Sequence, residues 1–196
     1  VKRPLGELRI IGGEWRSRRV AFDANPEIGL RATPDRVRQT VFDWLSPIIV
    51  GTRCLDLFAG SGALGLEALS RGAEHCTFID SGRRQAQDIR STLATFKAGD
   101  RATVIAADSL RWLHAPTLPG EGSHGFDVVF LDPPFGTTLL TEALSLLSPL
   151  LKPAHRVMLE WASDSTPVLP EGYVWLKEKQ AGQVSYGLVS YQRAEP

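Results

Sequence analysis

Asp56-Leu57-Phe58-Ala59-Gly60-Ser61-Gly62-Ala63-Leu64-Gly65 is the stretch that decides the fold of this chain. Its glycines at 60, 62 and 65 spell G-x-G-x-x-G between two segments of different period. Upstream, residues 53–58 form a short apolar run of strand character. Downstream, residues 64–71 carry an apolar helical pattern that Gly72 stops. A glycine-rich turn from strand into helix marks the ligand-binding turn of a doubly wound α/β sheet. Glycine permits the tight turn and lets a ligand approach the backbone.

Working outward, the alternation continues. Residues 75–80, 102–106, 126–131 and 156–161 read as strands, the third of them apolar apart from Asp127. Residues 83–96 and 139–151 read as helices, with a short helix near 110–114 and a polar loop over 116–125. The grammar then changes: residues 173–180 and 184–192 look like an antiparallel pair turning at Ala181-Gly182. The sum is a doubly wound α/β fold, with a mostly parallel seven-stranded sheet, helices on both faces and a mixed edge.

On the other side of the glycine turn, residues 7–22 read as a β-hairpin. Leu8, Ile10 and Ile11 precede Gly12-Gly13, and Val20 and Phe22 follow the basic cluster Arg16, Arg18 and Arg19. Thr33-Pro34 has the form of an N-cap followed by proline at the first helical position. Val37, Val41, Trp44 and Leu45 predict an amphipathic helix over 34–46, closed by Pro47. Residues 1–46 are therefore expected to be a hairpin-and-helix extension of the main domain, 47–196.

The acidic residues narrow the ligand. Asp80 ends the strand after the glycine turn, twenty residues beyond Gly60, with Ser81 following it. A carboxylate there can accept hydrogen bonds from both ribose hydroxyls of a nucleoside. Asp108-Ser109, after the next strand, could hydrogen-bond an adenine or cap the short helix. All this suits a nicotinamide dinucleotide as well as S-adenosylmethionine. Asp56 separates the two: just ahead of the glycines, its carboxylate repels a pyrophosphate and suits an ammonium and a sulfonium.

Asp132-Pro133-Pro134-Phe135 closes the strand over 126–131, apolar apart from Asp127. If this strand neighbours the one before the glycines, the two loops share one crevice at the point where strand order reverses. An aromatic exocyclic amine is a poor nucleophile because its lone pair is delocalised into the ring. Acceptors on its two hydrogens turn that lone pair toward an electrophilic methyl. Asp132 supplies carboxylate oxygens and Pro133 a backbone carbonyl. Successive prolines make a stiff ridge of acceptors with no competing N–H. Phe135 offers a ring on which an extruded base can stack. The rate would come from orientation and electrostatics. The alternative for the motif is an ordinary strand-ending turn.

Composition agrees with a globular enzyme: 196 residues, 43% hydrophobic and 22% charged, with zero net charge. The balance is uneven. Residues 1–38 hold nine Lys/Arg against five Asp/Glu, and the remainder thirteen against seventeen. The N-terminal segment is the candidate phosphate-binding surface. Cys54 and Cys76 lack metal-site spacing and lie in apolar runs, which suggests buried thiols in a reducing cytoplasm. No apolar run is long enough for a membrane span, and no metal is called for.

Beyond these readings the sequence resembles a known family. Leu8-Arg9-Ile10-Ile11-Gly12-Gly13-Glu14-Trp15-Arg16, Arg31-Ala32-Thr33-Pro34-Asp35-Arg36-Val37-Arg38, residues 55–72 and residues 132–135 are similar to the bacterial 16S ribosomal RNA guanine-N2 methyltransferase family, RsmD. The resemblance covers nearly the whole chain, and its N-terminal motifs are the most specific. It implies a class I methyltransferase (Rossmann-like) sheet, S-adenosylmethionine as cofactor, and one guanine of 16S rRNA as target. The substrate would be an assembled or partly assembled 30S subunit, met in the cytoplasm by a monomeric enzyme. Cofactor roles carry over to Asp56, Phe58, Gly60, Gly62, Asp80 and Asp108, with Ser81 and Ser109 beside them. Catalytic roles fall to Asp132, Pro133, Pro134 and Phe135. Arg31, Thr33, Asp35, Arg36 and Arg38 would wall the site and contact RNA, with Arg16, Arg18 and Arg19 as further RNA contacts. Two departures stand out. Many members have Pro-Thr-Thr where this chain has Ala32-Thr33-Pro34, and glutamate is common at position 80. Glu67 is open between helix surface and cofactor pocket. The rival readings are a DNA adenine-N6 or cytosine-N4 methyltransferase, a non-catalytic ribosome assembly factor and a nicotinamide-dependent oxidoreductase.

Overall fold

Strict alternation along the central strands sorts their side chains into two layers. Cys54, Phe130 and Met158 point to one face; Leu55, Val129, Leu131, Val157 and Leu159 point to the other. The computed structural model describes residues 5–23, 33–117 and 125–192. Its strands are β1 (Leu5–Arg9), β2 (Arg19–Asp23), β3 (Arg53–Asp56), β4 (His75–Asp80), β5 (Ala102–Ala106), β6 (Phe126–Leu131), β7 (Leu151–Ala162), β8 (Tyr173–Ala181) and β9 (Val184–Tyr191). Its α-helices are α1 (Asp35–Leu45), α2 (Ala63–Ser70), α3 (Arg83–Thr95), α4 (Ser109–His114) and α5 (Leu139–Leu147).

Seven strands form one sheet in the order β5-β4-β3-β6-β7-β9-β8. The pairs from β5 through β7 are parallel, and β9 runs antiparallel to both its neighbours. The expected α/β class and mixed edge are therefore present. Strand order reverses between β3 and β6, which pair directly. The glycine turn and the Asp132 turn thus leave adjacent strand ends. One feature is absent from the sequence reading: β9 follows β8 in the chain but inserts between β7 and β8.

Each layer has its own core. Helices α1, α2 and α3 pack on one face with the hairpin β1–β2, whose Leu8, Ile10, Trp15, Val20 and Phe22 are buried. Helices α4 and α5 cover the other face through Trp112, Leu113, Leu140, Leu144 and Leu147. The N-terminal extension is built into the first core rather than tethered beside it. Cys54 and Cys76 lie side by side in the β3–β4 register as free, fully buried thiols. Burial pushes both thiols far from ionisation, Cys54 to about 12.

Prolines explain the boundaries that differ from expectation. The helix expected over 139–151 stops at Leu147 and continues as a 3-10 turn, Ser148–Leu150, because Pro149 supplies no helical N–H. The strand expected over 156–161 begins at Leu151. Around Pro153 it slips out of register with β6, between the pairs Phe126↔Leu151 and Val128↔Arg156. Most of the polar loop over 116–125 lies outside the described residues. Among the described residues, no helix is long and apolar enough to cross a membrane.

Candidate functional site

A cavity of about 730 Å³ opens at the carboxyl ends of the parallel strands. Five carboxyls reach it in sheet order: Asp108 after β5, Asp80 on β4, Asp56 on β3, Asp132 after β6 and Glu160 on β7. No Lys, Arg or His belongs to the described lining. A space of this kind favours a ligand carrying positive charge and disfavours a pyrophosphate.

The glycine turn is held by its own acids. Asp56 Oδ2 accepts a hydrogen bond from the Gly65 N–H at 3.0 Å. The Asp80 carboxylate accepts from Gly60 N–H and Gly82 N–H, both at 2.7 Å. Asp108 Oδ1 accepts from Arg111 N–H at 2.9 Å and so caps α4, while still facing the cavity. Ser109 donates to the Leu57 carbonyl at 2.5 Å. Phe58, Gly60, Ser61 and Ser81 complete this half of the lining. Gly62 does not line the cavity; its left-handed φ of +76° starts α2. Gly65 serves packing, because a Cβ there would sit 2.2 Å from the Phe78 ring. Asp56 is 2% exposed. Burial, against the Gly65 hydrogen bond and with repulsion from Asp132 and Asp80, pushes its carboxyl up to about 7.

Across the cavity stands the Asp132 turn. Asp132 remains partly open to the cavity, and Pro133, Pro134 and Phe135 line it beside Asp132. The Phe135 ring is 47% exposed, unusual for a side chain so apolar. Thr33 donates its hydroxyl to Asp132 Oδ2 at 3.1 Å. This corrects the expected helix start: Pro34 is the N-cap of α1, and the Thr33 hydroxyl points into the site instead of capping. Desolvation raises the Asp132 carboxyl, opposed by the Thr33 hydrogen bond. Glu160, abreast of Asp132, is raised further by burial and by the Asp132 charge.

The N-terminal basic residues separate into three groups. Arg38 is fully buried, so a direct contact with RNA is not open to it. Its guanidinium donates to Glu67 Oε2 at 3.2 Å, to the Arg9 carbonyl at 2.9 Å, to Asp35 Oδ1 and to the Thr33 carbonyl at 3.1 Å. Glu67, equally buried, also accepts from Ile11 N–H, Gly12 N–H and Arg71. Glu67 is thus neither surface nor cofactor pocket; the pair locks the hairpin, α1 and α2 together and fixes Thr33. Arg36 and Asp35 are exposed at the start of α1, the latter paired to Arg38 and Arg9. Arg16, Arg18 and Arg19 are exposed but distant. Arg18 lies over the Phe96 ring at 4.3 Å, at the far end of α3 from the cavity-lining Gln85. That separation is roughly 16 Å along the helix axis. Arg31 lies outside the described residues.

Glu160, Pro34, Gln85, Leu64 and Val184 were not anticipated in the cavity. Glu160 left a signal. It is a lone carboxyl in Val157-Met158-Leu159-Glu160-Trp161, an otherwise apolar strand, at the same end as the other four acids.

Residues 8–190 match the family described as Conserved hypothetical protein 95. The chain is 44% identical to the Ribosomal RNA small subunit methyltransferase D of Escherichia coli over 96% of this chain and 91% of that one. The solved structure of the Escherichia coli protein yhhF superposes with a TM-score of 0.81 at 41% identity, over 95% of this chain and 99% of that one. The Thermus thermophilus 16S rRNA N2 methyltransferase RsmC, solved with AdoMet and guanosine, superposes with a TM-score of 0.67 over 97% of this chain and 50% of that one; at 17% identity it speaks to fold alone. With full-length matches at this level of identity, and with the glycine turn and the Asp132 turn facing each other across one cavity, the chain belongs to the RsmD family of small-subunit ribosomal RNA methyltransferases.

Proposed function

We propose that this protein transfers a methyl group from S-adenosylmethionine to the exocyclic N2 amine of one guanine in 16S ribosomal RNA, on the assembled or partly assembled small subunit in the cytoplasm. The observation that carries the proposal is the Asp132 turn facing the glycine turn across a cavity lined by carboxyls and, among the described residues, by no cationic side chain. The residues present fit the cofactor: Asp56 suits its ammonium, Asp80 its ribose hydroxyls, and Asp108 with Ser109 the adenine edge. When bound, it supplies an electrophilic methyl on a sulfonium.

The chain's own residues do the rest. Asp132 and the Pro133 carbonyl accept from the two amine hydrogens and turn the lone pair toward the methyl. One acceptor position of Asp132 Oδ2 is taken by Thr33, which leaves the carboxylate capacity for the amine. The same carboxylate is the nearest group to take the N–H proton lost on methylation. Phe135, half-exposed at the cavity wall, is placed to stack on an extruded base. The relatives' small-subunit RNA substrate supports ribosomal RNA as the target, and the family resemblance of the N-terminal motifs supports guanine.

The test uses small subunits lacking the modification and a labelled methyl donor. The wild type should label one guanine N2, located by mapping the modified nucleotide. Asp132→Ala should lose about 10²–10³-fold in rate, the scale of one oriented transition-state contact, with cofactor affinity retained. Absence of label, where the Escherichia coli relative labels the same particles, overturns the proposal.

A further inference from the structure

Glu160 is the one acid of the cavity that neither the cofactor set nor the Asp-Pro-Pro-Phe turn uses. Its position across the sheet is informative. The cofactor acids follow β5, β4 and β3; Asp132 follows β6; Glu160 lies one strand further, on β7. Neighbouring strands are about 4.8 Å apart, so Glu160 is beside Asp132 and two strands from Asp56. The pair Leu131↔Leu159 sets the next residues, Asp132 and Glu160, abreast. A base whose amine rests at Asp132 therefore presents its neighbouring ring edge toward Glu160.

The hydrogen bonds around Glu160 define what it can recognise. Glu160 is 4% exposed, and its buried Oε2 has no hydrogen-bond partner among the described residues. The Thr33 hydroxyl faces both acids and donates its single proton to Asp132. Glu160 lines the cavity beside Asp132, and its carboxylate, when ionised, has no proton to give and can only accept. A buried acceptor without a partner is destabilising, and a ligand donor relieves it.

Resting on the methyl-transfer reading above, we propose that the Glu160 carboxylate reads the base: it accepts a hydrogen bond from the ring N1–H of a guanine whose N2 amine is held at Asp132. Guanine is the only common base with a ring N–H next to its exocyclic amine. Adenine and cytosine carry a ring lone pair at that place, so either would set acceptor against acceptor. The Asp132 turn serves any exocyclic amine; Glu160 supplies the choice among them.

The experiment measures nucleoside binding, with S-adenosylhomocysteine present, by saturation-transfer NMR competition. The probes are guanosine, 1-methylguanosine and adenosine. The wild type should prefer guanosine to each of the others by about tenfold or more, the usual consequence of one unpaired buried polar group. Glu160→Leu should lose that preference, mainly by weaker guanosine binding. Glu160→Gln keeps an amide carbonyl and should keep most of the preference. Cofactor-product affinity should be unchanged in all three proteins, which excludes a folding defect. Guanosine preference retained in Glu160→Leu, or equal binding of guanosine and 1-methylguanosine by the wild type, overturns the role of Glu160 alone. A wild type that binds no guanosine, or prefers adenosine, overturns the guanine-methylation reading with it.

Discussion

At the scale of single residues, Asp56 sits where a charge is hard to keep. Burial raises its carboxyl to about 7, so near neutrality it is half protonated. A cationic ligand needs the ionised form. Cofactor affinity should therefore fall as pH drops from 8 to 6, by up to about tenfold per unit below 7. Calorimetric titration across that range checks this, and Asp56→Asn should bind weakly with no pH dependence. The same burial acts on folding. Asp56, Asp132 and Glu160 are all raised, so the folded chain keeps protons that the unfolded chain has lost. A group of this kind contributes its full stability below its ordinary carboxylate range and loses it as pH rises through the raised value. Stability without ligand should decline from pH 5 to pH 9, with a slope of up to about 1.4 kcal/mol per unit for each proton retained. Glu160→Gln should melt higher than wild type, and by more at pH 9 than at pH 5. A variant that melts lower at pH 9 contradicts the assignment. Asp56 and Asp132 were legible in the sequence because turn chemistry marks them locally. Glu160 shows only as a lone carboxyl in an apolar strand, since its place in the site depends on which strand pairs with β6.

At the scale of elements, α1 is less a surface helix than a clamp. Arg38 on this helix reaches Glu67 on α2, the Arg9 carbonyl on β1 and the Thr33 carbonyl ahead of its own first turn. Removing one partner of a buried ion pair leaves the other charge uncompensated, at a cost of about 3–5 kcal/mol. Arg38→Met should shift the urea midpoint accordingly. Arg38→Met combined with Glu67→Leu should recover much of that loss, because the pair as a whole must offset its own desolvation. A double variant no better than the single one would mean that the hydrogen bonds to Ile11 and Gly12 carry the junction. The sequence shows α1 through its apolar period, and β4, β5 and β6 to the residue. It misplaces the ends of α5 and β7, where prolines interrupt one backbone pattern and the chain adopts another. It also read Thr33 as a cap, because capping is a local rule and the hydroxyl's actual partner lies 99 residues away.

At the scale of the whole molecule, the cavity and the basic hairpin turn occupy opposite ends of α3. An RNA that met both would follow the side of the protein for about half a helical turn of duplex, given about 34 Å per turn. Removing Arg16, Arg18 and Arg19 together should weaken binding to the small subunit and lower the slope of log affinity against log salt by about two units, at roughly 0.7–0.9 per phosphate released. Guanosine binding in the cavity should be unaffected. If the slope does not change, the turn is not part of the RNA surface. Charge count placed this patch on the N-terminal segment. Its position at the far end could not be read from the sequence, because it follows from the docking of Trp15 on Ser70 and Phe96. The insertion of β9 bears on how the molecule comes to exist. During translation β8 emerges first, yet its only partner among the described strands is β9. The growing chain can join β3 to β7 while β8 waits, its backbone groups bonded to water. When β9 arrives it closes the gap between β7 and β8 and brings Val184 to the cavity wall. Until β9 pairs, the cavity therefore lacks its Val184 wall, and the pocket is finished by the last strand of the sheet to find its place.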